Sequence, residues 1–383
     1  MPTPDVALIT PFPGAGERHG GWTGVASYSA NLAGALGEAG LRVVVLASEE
    51  PGQPAEVRDG GVEIRRVWRR GPAALPVAAA AALATGAPAV HLQHELFLYG
   101  GPAAVPGVAP ALATVRRRRA VVTMHHVVDP GRVDGAFTRT HGVRAPAPFA
   151  RAAVAGVQGA IGRLARAVVV HEPSFAGFVP GATVVPHGIE APAGTTRAAA
   201  RAVLGVEPGA TLALCFGFLA PYKGLETALD AARLAGPGVQ LAVAGGEHPR
   251  LDGGYAAGLR AAAPPNARFT GFVPDADVAR WFAAADVALL LYPAPFASSG
   301  PLALALAHGT PVLMSEALAR TTGAPTSLTA PHGAATLAAR LRALAGDPAA
   351  AAALRDDAAR LAAGRGWPEV ARRHLELYAG VAA

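Results

Sequence analysis

Short apolar runs alternate with amphipathic, alanine-rich stretches along this chain. Near-continuous apolar runs are typical of strands buried on both faces, and helical patterns between them are typical of parallel sheets covered by helices. The predicted strands are Val6–Thr10, Arg42–Ala47, Val62–Val67, Ala89–Gln93, Ala120–Met124, Ala167–His171 and Thr183–Pro186, followed by Thr211–Gly217, Gln240–Ala244, Arg268–Thr270, Val287–Leu291 and Pro311–Met314. Helical patterns include Gly24–Ala39, Lys223–Ala235, Asp277–Ala285 and Pro301–Ala307. The pattern predicts an α/β protein with two Rossmann-like, doubly wound parallel-sheet domains.

The length supports that division, since 383 residues suit two domains of about 180 residues each. The segment Gly188–Arg201 is rich in Ala, Gly, Pro and Thr and interrupts the pattern, which is typical of an interdomain linker. We therefore expect one domain over residues 1–188 and a second over 189–365. Residues 366–383 hold a separate amphipathic helix with Pro368 near its first turn.

Composition excludes disorder, because 51% of the residues are hydrophobic and 16% are charged. The single cysteine, Cys215, cannot form an internal disulfide and is typical of a reducing compartment. We expect a cytoplasmic protein without a secretory signal peptide, in which Cys215 is inert core. The apolar segment Pro72–Val90 is alanine-rich and interrupted by prolines, so it predicts a buried helix and strand rather than a transmembrane segment.

The net charge is +6, with arginines clustered at Arg65-Arg66, Arg69-Arg70 and Arg116–Arg119. Solvated element ends account for such clusters, and contact with an anionic membrane surface or with acidic substrates stays open. Nucleic acid is disfavoured, because the arginines are not interleaved with aromatic residues.

A Ser-Ser-Gly loop enters the predicted helix Pro301–Ala307 just after the strand Val287–Leu291. Backbone N–H groups at a helix start bind anions, and ligands of α/β proteins lie at the carboxyl ends of strands. The loop therefore predicts a diphosphate site made by Ser298, Ser299, Gly300, Pro301 and Leu302.

The loop after the first strand also contains glycines, but not at the Gly-x-Gly-x-x-Gly spacing of a dinucleotide site. That spacing counts against a nicotinamide-dependent dehydrogenase. Gly24, at the start of the following helix, would let a diphosphate approach the backbone.

Several segments occur in the order found in one enzyme family. They are Gly20–Leu36, Gln93-His-Glu95 with Tyr99-Gly-Gly101, Thr123-Met-His-His126, Val184-Val-Pro-His-Gly-Ile189, Phe216–Gly224, Ala244-Gly-Gly-Glu-His-Pro249, Phe269-Thr-Gly-Phe-Val273 and Ser298-Ser-Gly-Pro-Leu302. In this order the chain resembles the retaining glycosyltransferases of family 4, which have the GT-B fold. The Gln-His-Glu and Ser-Ser-Gly elements are similar to a bacterial branch of mannosyltransferase- and glucosyltransferase-like proteins.

For the donor, the resemblance implies that Lys223 binds the diphosphate and neutralises the charge on the leaving nucleotide. It implies that Glu247 and His248 line the sugar side, with a plain polar loop as the alternative. The backbone of Phe272 and Val273 would face the nucleobase.

For the acceptor, the resemblance places His125 near the sugar and acceptor as a catalytic residue, with its neighbour His126 as the competing candidate. His94 and Glu95 also follow a strand and would lie on the acceptor side. A structural ion pair is the alternative for Glu95.

The chain departs from the family at three positions. Two glutamates of the family pattern are replaced by Phe296 and Leu304, and an arginine by Phe218. Diphosphate binding stays expected, whereas the sugar and the ribose must be recognised differently.

Asp275-Ala-Asp277 is similar to the metal-binding Asp-x-Asp of other glycosyltransferases, but its place before a helix favours N-capping. The histidines show no metal-ligand spacing, so we expect neither a metal nor another cofactor.

The resemblance implies retaining, metal-independent transfer of a hexosyl group from a donor of GDP-mannose or UDP-glucose type to a small-molecule or glycan acceptor. The N-terminal domain would hold the acceptor, the C-terminal domain would hold the donor across a cleft, and the last helix would cross back to the first domain. A sugar-nucleotide 2-epimerase and a non-catalytic sugar-nucleotide-binding protein stay open.

Overall fold

The computed structural model describes residues 3–15, 17, 23–140, 143–190, 194–247, 253–293 and 298–380. The strands are β1 (Val6–Ile9), β2 (Val43–Ser48), β3 (Glu56–Asp59), β4 (Val62–Trp68), β5 (Ala89–His94), β6 (Arg119–Met124), β7 (Ala167–Val170), β8 (Thr183–Val184), β9 (Thr211–Phe216), β10 (Val239–Ala244), β11 (Ala267–Gly271), β12 (Val287–Leu290) and β13 (Val312–Met314).

The helices are α1 (Gly24–Glu38), α2 (Ala74–Ala84), α3 (Val108–Val115), α4 (Gly135–Thr140), α5 (Ala147–Leu164), α6 (Pro173–Ala176), α7 (Arg197–Leu204), α8 (Leu225–Ala235), α9 (Gly254–Ala261), α10 (Asp275–Ala284), α11 (Gly300–Ala307), α12 (Glu316–Thr322), α13 (Ala334–Gly346), α14 (Pro348–Ala362) and α15 (Trp367–Ala379). Short 3-10 helices lie at Gly101–Gly107, Pro130–Arg132, Pro221–Lys223 and Thr326–Leu328.

The chain divides into two compact units. The first unit comprises Met1–Gly188, Phe296–Ser298 and Trp367–Ala383, and the second comprises Ile189–Pro295 and Ser299–Gly366.

The sheet of the first unit has the strand order β3-β4-β2-β1-β5-β6-β7-β8, and only the β3–β4 pairing is antiparallel. Its inner strands β1 and β2 are almost wholly apolar because both of their faces are covered. On β1, Val6 and Leu8 pack in the same core as α1 and α15, whereas Ala7 and Ile9 pack in the core that α2, α3 and α5 cover.

The sheet of the second unit has the order β11-β10-β9-β12-β13, and all its pairs are parallel. One apolar core joins its strands to α8, α10, α11 and α13. Asp286, just before β12, accepts hydrogen bonds from Arg201 Nη1 at 3.0 Å and from the Leu212 backbone N–H at 2.8 Å, and so fastens α7 to the start of β9.

The predicted α/β class with two parallel-sheet domains is confirmed, and every predicted strand is present within a few residues of its expected bounds. One strand escaped prediction: β3 is mostly charged and only half-covered, so it has no apolar run. The linker prediction is wrong over residues 197–201, which begin α7 because the Thr196 hydroxyl caps the Ala199 N–H.

Local predictions had mixed outcomes. Pro72–Val90 forms α2 and the start of β5, as expected, and Cys215 is buried, which raises the pKa of its thiol to about 12. The N-capping prediction for Asp275 and Asp277 is wrong, because both residues lie inside the first turn of α10. There their negative charges interact favourably with the positive end of the helix dipole. Asp277 also forms an ion pair with Arg280.

Candidate functional site

Lys223 lies at the carboxyl edge of the second unit's sheet, in the 3-10 turn between β9 and α8. Its Nζ donates to the Tyr292 hydroxyl at 3.0 Å and lies 4.6 Å from the centre of that ring. Burial lowers the pKa of Lys223, but the phenols of Tyr292 and Tyr222 raise it by more, so the pKa stands above its ordinary value. The side chain is therefore a half-buried ammonium that stays charged at neutral pH.

The basic residues of the chain are also informative about Lys223. Lys223 is the only lysine among the 33 basic residues of the chain. A lysine presents a compact point charge, whereas an arginine presents a wide, planar fork. A chain that uses arginine everywhere else keeps the smaller cation at this edge of the sheet.

The Ser299 hydroxyl connects this pair to the first turn of α11. It donates to the Tyr292 hydroxyl at 3.2 Å and accepts from the Leu302 backbone N–H at 3.2 Å. The expectation that all N–H groups from Ser299 to Leu302 are open to phosphate is thus corrected, because Ser299 caps Leu302 and Pro301 has no N–H. Ser299 and Gly300 are the residues of this turn whose N–H groups the cap does not use.

Two glycines let the backbone come close to the ammonium. Gly217, directly after β9, has a φ of +103°, and a Cβ there would lie 3.3 Å from Lys223 Nζ and 3.6 Å from Pro301 Cγ. Gly245, directly after β10, has a φ of +153°, and a Cβ there would lie 2.0 Å from the Gly217 carbonyl oxygen. The carboxyl ends of β9, β10 and β12 therefore meet the start of α11 around Lys223.

Glu247 also lies at this edge, where its backbone pairs with Leu219 beyond β9. Its carboxylate lies 2.7 Å from Arg260 Nη1, and both side chains are about half exposed. The predicted donor-side residue His248 lies outside the described residues.

Phe272, directly after β11, is 76% exposed, while its neighbour Val273 is buried. Phe218, which stands where the family often has arginine, is exposed beyond β9. Leu304 packs against the core of the second unit, and Phe296 lies outside the described residues. The described part of this edge thus presents the apolar rings of Phe218 and Phe272 near Lys223.

In the first unit, Gly24 begins α1, and the Thr23 hydroxyl caps the helix by accepting from the Val25 N–H at 3.3 Å. A Cβ at Gly24 would meet no atom within 4 Å, so packing inside the protein does not require glycine there. Residues 18–22 of the same loop lie outside the described residues.

His125 follows β6 and is buried inside a cluster of polar rings. Its Nε2 lies 2.7 Å from Gln93 Oε1, its Nδ1 lies 3.3 Å from His171 Nε2, and its ring stands edge-on to Tyr28. Burial and the neighbouring imidazoles, His171 first, hold the pKa of His125 well below its ordinary value. The ring is therefore neutral, and both of its nitrogens have partners within the protein.

The other predicted acceptor-side residues lie near His125. His94 is buried, and burial together with His126 lowers the pKa of His94 to about 4. The Glu95 carboxylate lies 3.3 Å from His126 Nδ1, which is the pairing considered above as its alternative role. A role of these residues toward an acceptor stays a prediction.

Ser298 and Ser299 are neighbours in sequence but have different partners. The Ser298 hydroxyl donates to the carboxylate of Glu172 at 3.0 Å, and Glu172 is buried at the carboxyl end of β7 in the first unit. Ser298 thus belongs with the first unit, whereas Ser299 belongs with Lys223.

Sequence reasoning missed Tyr292, His91, His171 and Glu172 as members of these clusters. A signal for His91 existed, because residues two apart on a strand share a face and His91 precedes Gln93 by two. No comparable signal marks Tyr292, since an aromatic residue at a strand end is ordinarily core.

Solved structures share this architecture over nearly the whole chain. Sucrose-phosphate synthase from Thermosynechococcus elongatus is 20% identical and has a TM-score of 0.72, with 98% of each chain covered. HepE from Anabaena in complex with UDP-glucose is 16% identical, with a TM-score of 0.70 and 98% of this chain and 100% of that chain covered. The chain has the GT-B fold.

The catalytic domain of starch synthase IV from Arabidopsis thaliana, bound to ADP and acarbose, is 13% identical, with a TM-score of 0.66 and 98% of each chain covered. No family model and no curated protein matches the chain. Among the described residues, no helix has the length and apolarity to cross a membrane, and no group of three or more His, Cys, Asp or Glu side chains could hold a metal ion.

Proposed function

We propose that this protein is a glycosyltransferase that moves a hexosyl group from a nucleotide-diphosphate sugar to an acceptor hydroxyl, with retention of configuration and without a metal ion. The observation that carries the proposal is the set of Lys223, Tyr292 and Ser299 at the carboxyl edge of a parallel sheet in a GT-B fold. That edge is where open α/β sheets bind ligands. The half-buried ammonium supplies the positive charge that a diphosphate requires.

The chemistry follows from where charge develops. As the bond between the sugar and the diphosphate breaks, the leaving diphosphate gains negative charge, and Lys223 with the N–H groups of Ser299 and Gly300 would stabilise it. The acceptor hydroxyl would attack the anomeric carbon from the face that the diphosphate leaves, which retains the configuration. The departing diphosphate takes up the hydroxyl proton.

We assign donor binding to the second unit and acceptor binding to the first. UDP-glucose and GDP-mannose are the donors of choice, and the UDP-glucose complex of HepE supports the former. The exposed ring of Phe272 offers an apolar surface next to the nucleobase position. The order of sequence motifs supports a place in the bacterial branch of family 4.

The test begins with thermal denaturation in the presence of UDP-, GDP- and dTDP-sugars, because a ligand that binds only the native state raises the melting temperature. The stabilising donor is then incubated with candidate acceptors in EDTA, and the anomeric configuration of the product is determined by NMR. Lys223→Ala should lower kcat/KM at least about 100-fold, as expected for losing about 3 kcal/mol of charge-assisted bonding. Unchanged turnover of every donor by Lys223→Ala would refute the assignment.

Two outcomes would favour the alternatives. Conversion of the donor into its 2-epimer without acceptor would indicate an epimerase. Tight binding without transfer or hydrolysis would indicate a binding protein, an outcome to which the apolar packing of Leu304 lends weight.

A further inference from the structure

A continuous chain of hydrogen bonds crosses the first unit from the C-terminal helix to the candidate catalytic histidine. The links are Tyr378 Oη to His91 Nδ1 at 2.6 Å, His91 Nε2 to the Gln93 amide at 3.2 Å, the Gln93 amide to His125 Nε2 at 2.7 Å, His125 Nδ1 to His171 Nε2 at 3.3 Å, and His171 Nδ1 to the Val185 carbonyl at 2.9 Å. All five side chains are at most 8% exposed. We call this set the buried relay.

One end of the buried relay has a fixed polarity. The Val185 carbonyl oxygen can only accept, so His171 must carry a proton on Nδ1. If His171 is neutral, its Nε2 has a lone pair and must receive a proton from His125 Nδ1. A neutral His125 then has a lone pair on Nε2, which faces the Gln93 amide.

The Gln93 amide decides between two arrangements. In the structure the amide oxygen of Gln93 points toward His125, so His125 Nε2 must donate. The hydrogen bonds from His125 through His171 to Val185 then require one of these two imidazoles to be doubly protonated. With its –NH₂ group toward His125, the amide donates to His125 Nε2 and accepts from His91 Nε2, and no charge is needed. The two amide ends have nearly the same shape, so packing does not distinguish them.

The surroundings favour the uncharged arrangement. Burial is the largest cause that lowers the pKa of His91 and of His125, and the nearby imidazoles lower both further. His374 and Tyr378 face His91 from α15, Tyr28 faces His125 from α1, and His187 faces His171. Each of these four ring neighbours is another imidazole or a phenol, and a further positive charge among imidazoles is costly.

We propose that the Val185 carbonyl sets the tautomer of His125 through His171, so that every link of the buried relay donates in one direction, from Tyr378 to Val185. His125 then carries its proton on Nδ1 and a lone pair on Nε2. His91 carries its proton on Nε2, which lies 2.8 Å from Thr123 Oγ1 as well as near the Gln93 amide. Gln93 and His171 are positioning residues.

The consequence for chemistry rests on the proposed function. Once a ligand hydroxyl displaces the Gln93 amide, His125 Nε2 accepts a hydrogen bond and does not donate one. His125 would therefore orient a sugar or acceptor hydroxyl through that hydroxyl's own proton.

The decisive experiment uses the ligand-free, full-length protein labelled with ¹⁵N-histidine at pH 7.5. Long-range ¹H–¹⁵N spectra distinguish protonated from bare ring nitrogens, and single substitutions such as His125→Gln assign the signals. The expected result is a protonated Nδ1 and a bare Nε2 for His125, and the reverse for His91. A protonated Nε2 on His125, two protonated nitrogens, or an averaged mixture of tautomers would overturn the proposal whether or not the protein transfers sugars.

Two variants, one in the middle of the buried relay and one at its Tyr378 end, refine the test. Gln93→Glu replaces the donating amide by a group that only accepts, so His125 should gain a second proton at pH 7.5. Tyr378→Phe is the matched control: it removes the donor to His91 Nδ1 but leaves Gln93, His171 and Val185 in place, so His91 and His125 should both keep their tautomers. A changed tautomer of His125 in Tyr378→Phe would contradict control by Val185, and this readout remains if Gln93→Glu does not fold.

Discussion

At the scale of single residues, the chemistry concentrates on one lysine whose partners hold it in place. The ammonium of Lys223 has the Tyr292 phenol as a hydrogen-bond acceptor and the same ring as a cation–π partner. A lysine side chain that is held before a ligand arrives loses less conformational entropy when the ligand binds. Tyr292 therefore prepares the cation for an anionic group.

Because Lys223 is the only lysine, amine labelling gives a direct report on it. We expect an amine-specific reagent to modify Lys223 slowly, and a saturating nucleoside diphosphate to slow this further by about tenfold or more. Mass spectrometry of the Lys223 peptide measures the rate, with the terminal amine as the internal control. Equal protection of both amines, or of neither, would place the diphosphate elsewhere.

Removing the Tyr292 hydroxyl tests its positioning role. Tyr292→Phe keeps the ring but deletes the acceptor of the Lys223 bond and of the Ser299 bond. A hydrogen bond to a charged group contributes about 1.5 to 3 kcal/mol, so kcat/KM should fall roughly 10- to 100-fold, mainly in kcat.

Tyr222→Phe is the matched control, because the Tyr222 ring also lies near Lys223 but is exposed. Its kcat/KM should change less than about threefold, on the order of 0.5 kcal/mol. Similar losses in the two variants would show that the phenol of Tyr292 has no special role.

The sequence singled out Lys223 and Ser299 because each stands in a turn with recognisable chemistry, and the structure places both beside Tyr292, while their roles stay predictions. The sequence was not sufficient for Tyr292, which reaches Lys223 only because β9 and β12 are neighbours although they lie far apart in sequence. The buried relay was hidden for the same reason: its members lie on β5, directly after β6 and β7, and on α15, and only the folded structure brings these elements together.

At the scale of elements, the glycines directly after β9 and β10, Gly217 and Gly245, allow the loops after these two strands to approach each other closely. Gly245→Ala would place a methyl group 2.0 Å from the Gly217 carbonyl at a φ of +153°, where L residues are strained. We expect a loss of roughly 2 to 4 kcal/mol in the free energy of unfolding, measured by urea denaturation.

The neighbouring glycine is the control for this substitution. A Cβ at Gly246 would lie 3.7 Å from Phe272 Cβ, an ordinary contact, so Gly246→Ala should cost less than about 1 kcal/mol. If both variants lost the same stability, close approach at Gly245 would not be the cause.

The hydrophobic pattern predicts the bounds of some elements but not of others. Apolar strands such as β1 and β2 were predictable because both faces are covered. The start of α7 was not, since its first turn is alanine-rich and the decisive feature is a single hydroxyl, that of Thr196.

At the scale of the whole molecule, buried histidines make stability depend on pH. Burial is the largest cause that lowers the pKa of His94 and His374 to about 4, from an ordinary value of 6.5. Between those values the unfolded chain binds more protons than the native protein, so the free energy of unfolding falls as the pH falls from 6.5 toward 4. Each histidine contributes roughly 3 kcal/mol to the full decline.

Urea denaturation at pH 7.5 and at pH 5.0 measures this decline. His374→Leu removes one of the two groups, and the Nε2 of His374 has no hydrogen-bond partner among the described residues. The variant should therefore lose less stability than the wild-type protein between these pH values. Parallel declines in both proteins would show that His374 does not contribute.

The fold class could be predicted from the sequence because strands and helices alternate along the chain.

The antiparallel strand β3 has a consequence of its own. It ends the first sheet with a short ribbon of charged side chains, Glu56, Arg58 and Asp59, and the opposite edge, β8, is only two residues long. Neither edge of the first sheet offers a long apolar template to a foreign strand, so we expect this sheet to contribute little to edge-to-edge aggregation.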